Sequence, residues 1–100
     1  METFIYNYGG APVGFCLGMY VFTLEGRPVG QIQGDRVYTL RGTFVGELHD
    51  DMVVNKHLRN QGGIGPGGDP GPVRPAQHPG NRPPKSATYP DVFDYLARSV

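Results

Sequence analysis

The chain has 100 residues, enough for one domain, and its nine basic and nine acidic side chains cancel. That balance excludes a general nucleic-acid binder, which needs excess Lys and Arg to displace counterions from phosphates. A single cysteine, Cys16, excludes an internal disulfide framework, and no apolar run approaches the roughly 20 residues of a membrane-spanning helix, so the expectation is a cytoplasmic protein.

From residue 4 to 56 one unit is written three times and begun a fourth time. Ile5-Tyr6-Asn7-Tyr8-Gly9-Gly10-Ala11-Pro12-Val13-Gly14 aligns with Val21-Phe22-Thr23-Leu24-Glu25-Gly26-Arg27-Pro28-Val29-Gly30. It aligns again with Val37-Tyr38-Thr39-Leu40-Arg41-Gly42-Thr43-Phe44-Val45-Gly46, each time sixteen residues on, and Val53-Val54-Asn55 restarts it. Each unit holds two short stretches rich in β-branched and aromatic residues, separated by turn formers, which is the sequence form of strands. Strands are predicted near 4–8, 12–17, 19–24, 28–33, 35–40, 44–49 and 51–56, each antiparallel to its chain neighbours.

Tyr6, Phe22 and Tyr38 share one column, with Val54 in the fourth start, and Tyr8, Leu24 and Leu40 share another two residues on. Positions two apart face the same way in a strand, so each unit offers an apolar stripe that three or four units around an axis would bury. The glycine after each valine, at 14, 30 and 46, removes a side chain where another backbone or a bulge must come close.

From Gly62 to Pro84 the chain is rich in Gly and Pro, with no helical or strand period of apolar residues. Turns and polyproline II remain: either a flexible linker or an arm that lies along the core or a partner, with Arg59, Arg74, Arg82 and Lys85 as surface contacts. Beyond it, Thr88 to Ala97 reads as one short helix, with Thr88 and Asp91 as a capping box and Pro90 in the first turn. A helix this short is marginal alone, so Phe93, Tyr95 and Leu96 are expected to dock, first of all on the chain's own β core. The boundaries are then 1–58 for the β-repeat, 59–87 for the arm or linker and 88–100 for the helical segment.

His49-Asp50-Asp51, with His57, is the best cluster for metal or acid–base chemistry, but no tetrahedral ligand spacing is present and the first three residues fall where a turn is needed. Cys16 lies in an apolar stretch, as a buried inert thiol does. The glycine columns form no phosphate loop, and the aromatic column lacks the basic surroundings of a base-stacking platform. No catalytic residue, metal or cofactor is expected, and an enzyme is not.

The recurring [Ile/Val]-[Tyr/Phe]-x-[Leu/Tyr]-x-Gly-x-Pro-Val-Gly, starting at Ile5, Val21 and, with Phe44 in place of proline, Val37, resembles the bacterial four-fold β-flower domain family. The resemblance extends to the Gly/Pro/Arg-rich segment and to Val92-Phe93-Asp94-Tyr95-Leu96. It implies an all-β fold of three to four short hairpin petals about a pseudo-four-fold axis, with hairpins at 12–24, 28–40 and 44–56 and strand 4–8 completing the fourth. It lends no activity.

The function expected is a non-enzymatic interaction module that captures a protein partner or associates with itself, through the petal tips or the arm. The alternative is a nucleotide or other anion held between petals or subunits by Arg27, Arg36 and Arg41. Specificity should lie in what the repeat leaves unexplained: those arginines, His49, Asp50 and Asp51, and the tail.

Overall fold

The computed structural model describes residues 3–55, 62–68, 70–74, 77, 79–84 and 89–98. Seven strands follow one another: β1 (Thr3–Tyr6), β2 (Pro12–Leu17), β3 (Tyr20–Thr23), β4 (Pro28–Gln33), β5 (Arg36–Thr39), β6 (Phe44–His49) and β7 (Met52–Val54). Among the described residues one helix, α1 (Phe93–Arg98), follows them. Each strand pairs with its chain neighbours in a single antiparallel sheet, which curls into a disc of 34 × 33 × 22 Å. Three hairpins, β2–β3, β4–β5 and β6–β7, are the petals expected from the repeat. No helix among the described residues is long and apolar enough to cross a membrane.

The same irregularity recurs in each unit. Ile5 faces Gly14 while Tyr6 faces Pro12, so Val13 is left over; the shifts at Val21/Phe22 and Val37/Tyr38 leave over Val29 and Val45 in the same way. An extra residue in one strand re-aims its side chain, and Val29 and Val45 join Ile5, Val21, Val37 and Val53 in the buried centre. The central ring is therefore the column at 5, 21, 37 and 53, all 0% exposed. The stripe at Tyr6, Phe22 and Tyr38 corrects to the opposite face of the strands. There Phe15 stacks on Phe22 at 5.3 Å and Tyr38 meets Phe44 edge-on at 5.7 Å.

The connections at 7–11, 23–27 and 39–43 also repeat. Asn7, Thr23 and Thr39 each accept, through a side-chain oxygen, the N–H four residues on, at 3.0, 3.3 and 3.1 Å. Each loop holds a glycine at positive φ, 87° at Gly10, 90° at Gly26 and 101° at Gly42.

The helix fills the hub because the sheet leaves room for it. A methyl group at Gly14 would meet the Phe93 ring, one at Gly30 would lie 2.8 Å from Leu96 Cδ1, and one at Gly46 would lie 3.1 Å from Val92 Cγ2. Thus the glycine column of the repeat seats three apolar side chains of the C-terminal segment, one per petal. Phe93 and Leu96 are buried, as expected; Tyr95 is 62% exposed, which corrects the expectation that it docks on the chain's own β core. It lies one residue from Leu96, and on a helix neighbours in sequence point about 100° apart. The helix is also shorter than 88–97: it starts at Phe93, whose N–H donates to Asp91 Oδ1 at 3.0 Å, while Thr88 lies outside the described residues.

The fourth petal is assembled from distant pieces. Residues 90–92 return beside β7: Asn55 N–H donates to Pro90 O and Val92 N–H to Val53 O, both at 2.9 Å, with a bridge between Val54 and Asp91. Tyr6 N–H donates to Asp51 O at 2.8 Å and joins β1 to the same hairpin.

Gly30→Ala is expected to lower the melting temperature by at least about 5 °C, since its methyl would also lie 2.7 Å from the Tyr38 carbonyl oxygen and overpacking costs about 1–3 kcal/mol. Gly65→Ala, whose methyl meets nothing within 4 Å, should change it by less than about 2 °C. Differential scanning calorimetry on the two chains checks both.

Candidate functional site

The Gly/Pro-rich arm is docked. Ile64 N–H donates to Gly42 O at 2.8 Å, Val73 N–H to Gly26 O at 2.9 Å and Arg82 N–H to Gly10 O at 2.9 Å. The anchors are nine residues apart, and each follows by two a glycine at positive φ: Gly62, Gly71 and Gly80. Thus a nine-residue repeat runs over the sixteen-residue repeat in reverse order, one step per petal. Between the first two anchors, Tyr20 Oη donates to Gly67 O at 2.5 Å, and the buried Gln31 amide donates to Gly65 O at 3.2 Å and Thr39 O at 3.1 Å. Arg59 and Lys85, expected as arm contacts, lie outside the described residues.

Where the arm reaches its third anchor, the repeat departs from its own rule. At the first two petal tips the turn opens with a glycine at φ 62°, Gly18 and Gly34; at the third it opens with Asp50 at φ 51°, followed by Asp51 at φ 59°. A two-residue hairpin loop with both central residues left-handed is a type I′ turn, which aspartate tolerates better than most side chains but less well than glycine. Both carboxylates are about half exposed, and His49 Nε2 stands 3.5 Å from Asp50 Oδ2.

Arg82 gathers this corner. Its Nη2 donates to Asp50 O at 2.5 Å, its Nη1 lies 3.8 Å from Asp51 Oδ2, and its guanidinium lies 4.4 Å from the centre of the Tyr6 ring. Stacking on an aromatic face while donating sideways suits a planar guanidinium and not an ammonium. Tyr89 adds an edge-on ring contact to His49 at 5.8 Å. Four separated stretches meet here: β1, the β6–β7 tip, the end of the arm and the segment leading to the helix.

The other expected residues do not join them. Arg27 is exposed and directs Nη2 to Ala97 O near the end of α1 at 3.4 Å. Arg36 opens β5 and Arg41 lies beyond its other end, both exposed. Among the described residues no group of three or more His, Cys, Asp and Glu is placed to hold a metal ion, and His57 lies outside them. Cys16 is buried, and burial first, then the Asp51 carboxylate, pushes its thiol up to about 11. Sequence reasoning named Arg82 only as one arm cation among several and missed Tyr89. The signal for Arg82 was present in the alignment of Gly62-Gly63-Ile64, Gly71-Pro72-Val73 and Gly80-Asn81-Arg82.

A family model described as 4-fold beta flower protein matches residues 3–94. No curated protein and no solved structure matches the chain.

The thiolate is the form that reacts. With its thiol near 11, Cys16 should be alkylated by iodoacetamide at pH 8 about two orders of magnitude more slowly in the folded chain than in denaturant, where the value is about 8.5. The folded state holds this proton more tightly than the unfolded one, so stability should fall as pH rises from about 8.5 towards about 11. Urea titrations across that range should show less of this decline in Cys16→Ala.

Proposed function

The chain belongs to the 4-fold beta flower family, and we propose that it is a non-enzymatic interaction module that captures a protein partner through the tip of its third hairpin. The observation that carries this reading is the pair Asp50 and Asp51, both left-handed and both exposed at a turn whose two counterparts open with glycine. Backbone strain retained at an exposed position points to a use for the side chains that impose it. What the tip offers is two carboxylates with His49 beside them, held by Arg82 through the Asp50 carbonyl and the Asp51 carboxylate. A basic segment of another protein is the complementary partner, and its binding would weaken with added salt. The reading of an anion held by Arg27, Arg36 and Arg41 has less support, because Arg36 and Arg41 stand at opposite ends of β5.

The doubly substituted chain Asp50→Gly/Asp51→Gly tests the proposal, since glycine keeps the turn and removes only the carboxylates. Its melting temperature should be unchanged or higher, as relief of left-handed strain, about 1 kcal/mol or more per residue, outweighs the half-exposed pair with Arg82, worth about 0–1 kcal/mol. A partner captured by the wild-type chain from the source cells, purified and titrated, should bind the double variant at least about tenfold more weakly. Equal affinity for both chains would refute the role of the tip.

A further inference from the structure

The track on which the arm lies has three near-identical stations, and such an arrangement does not by itself specify a register. At each station the same group, the carbonyl of a left-handed glycine, accepts the same group, an arm N–H, at 2.8 to 2.9 Å. The loops around Gly10, Gly26 and Gly42 share their internal hydrogen bonds, and the arm repeats its glycine and its anchor at each step. Backbone bonds of this kind read no side chain. At the anchors, moving the arm by one step of nine residues would present the same donors to the same acceptors, as happens in Gly-rich strands whose register is weakly specified, while the Tyr20 and Gln31 bonds to Gly67 and Gly65 would be lost.

One anchor differs from the other two. Ile64 and Val73 are apolar and half-buried, and either would serve at the other's station. Arg82 makes one contact that has no counterpart at the other stations, with the face of the half-buried Tyr6 ring, and adds to it the Asp50 carbonyl and the Asp51 carboxylate. At the Gly26 station the column of Tyr6 is occupied by Phe22, and at the Gly42 station by Tyr38, and both are 2% exposed. Burying a guanidinium without those partners is costly. A single polar residue in an otherwise repetitive apolar series fixes register elsewhere in the same way, by penalising every alignment but one.

We propose that Arg82 sets the register of the arm on the glycine-loop track, and that this selection keeps the track filled by the chain's own arm in place of the arm of a second copy. A shifted arm leaves one station open, and the segment that fits an open station is the same arm carried by another copy. An exchanged arm makes the contacts that it makes within its own chain, so exchange needs no new surface, and it is opposed chiefly by the high effective concentration of the tethered arm.

The test uses the full chain with Arg82→Val, which gives all three stations an apolar anchor, and independently with Val73→Arg, which supplies a second arginine while leaving Arg82 in place. Heteronuclear NMR reads the amides of Gly10, Gly26 and Gly42, and light scattering reads the mass from about 10 µM to about 1 mM. The wild-type chain should show one set of signals and a constant monomer mass. In either variant that remains folded, the proposal expects more than one set of signals for these glycines and a mass that rises with concentration. One set of signals and a monomer mass throughout, in whichever variants fold, would overturn it and assign the register to the tether or to the Tyr20 and Gln31 bonds with the arm. The Val73→Arg chain removes no contact of Arg82 and decides the matter if Arg82→Val does not fold.

Discussion

The absence of three Cβ atoms, at Gly14, Gly30 and Gly46, is the constraint on which the structure depends. A ring of Ile5, Val21, Val37 and Val53, with Val29 and Val45 beside it, lines the centre of the disc, and a curled sheet of such short strands leaves one end of that ring to be covered. The helix closes it, and a six-residue helix has no stability of its own. Each element therefore supplies what the other lacks: the glycines provide seats, and Val92, Phe93 and Leu96 provide the apolar volume that fills them. Burying Phe93 and Leu96 is worth about 1.5–3 kcal/mol each, with less from the half-buried Val92, together a large share of the net stability of a small domain.

The same economy governs the outer face. Tyr20 donates there to the carbonyl of Gly67 on the arm, and Gln31 donates both to the carbonyl of Gly65 on the arm and to that of Thr39 in β5. An arm rich in Gly and Pro has few side chains to bury, so it attaches by its backbone, with one N–H per step to a loop glycine at positive φ whose carbonyl turns outward to accept it and a further N–H from Gly67 to Leu40 O. The chain thus passes round the disc twice, first as hairpins and then in reverse as an arm. The second pass delivers residues 90–92 to the exposed edge of β7, where an unpaired strand would otherwise invite association.

Strand positions and the close approach at Gly14, Gly30 and Gly46 were legible in the sequence, because turn residues and columns of a repeat are local signals. Which strand face turns inward was not. Val21 and Phe22 are both buried, at 0% and 2% exposure, so no polar alternation distinguishes the faces, and the bulge at each valine shifts the parity on which such a choice rests. The nine-residue period of the arm escaped a search for the periods of helices and strands, since a chain that wraps a repeat takes its period from the host. Tyr89 could not be found by spacing at all, for it reaches His49 across forty residues of chain. Tyr95 looked like a docking residue because aromatic content was read without the helical angle that places it outside.

The candidate site lies where the repeat runs out, and the reason is geometric. A ring of four equivalent positions built from three full units must be closed by segments that are not copies of one another: the start of the chain at Tyr6, the last hairpin at Asp50 and Asp51, the end of the arm at Arg82 and the return of residues 89–92. Repeated positions are constrained by the requirement that each unit fit its neighbour, so a change in one column must suit several contacts at once. At the closing seam no such requirement operates, and charged groups can be placed there singly. The symmetric part of the molecule supplies rigidity, and the seam is the one region where the described residues combine exposed charge, left-handed side chains and an arginine held on three sides.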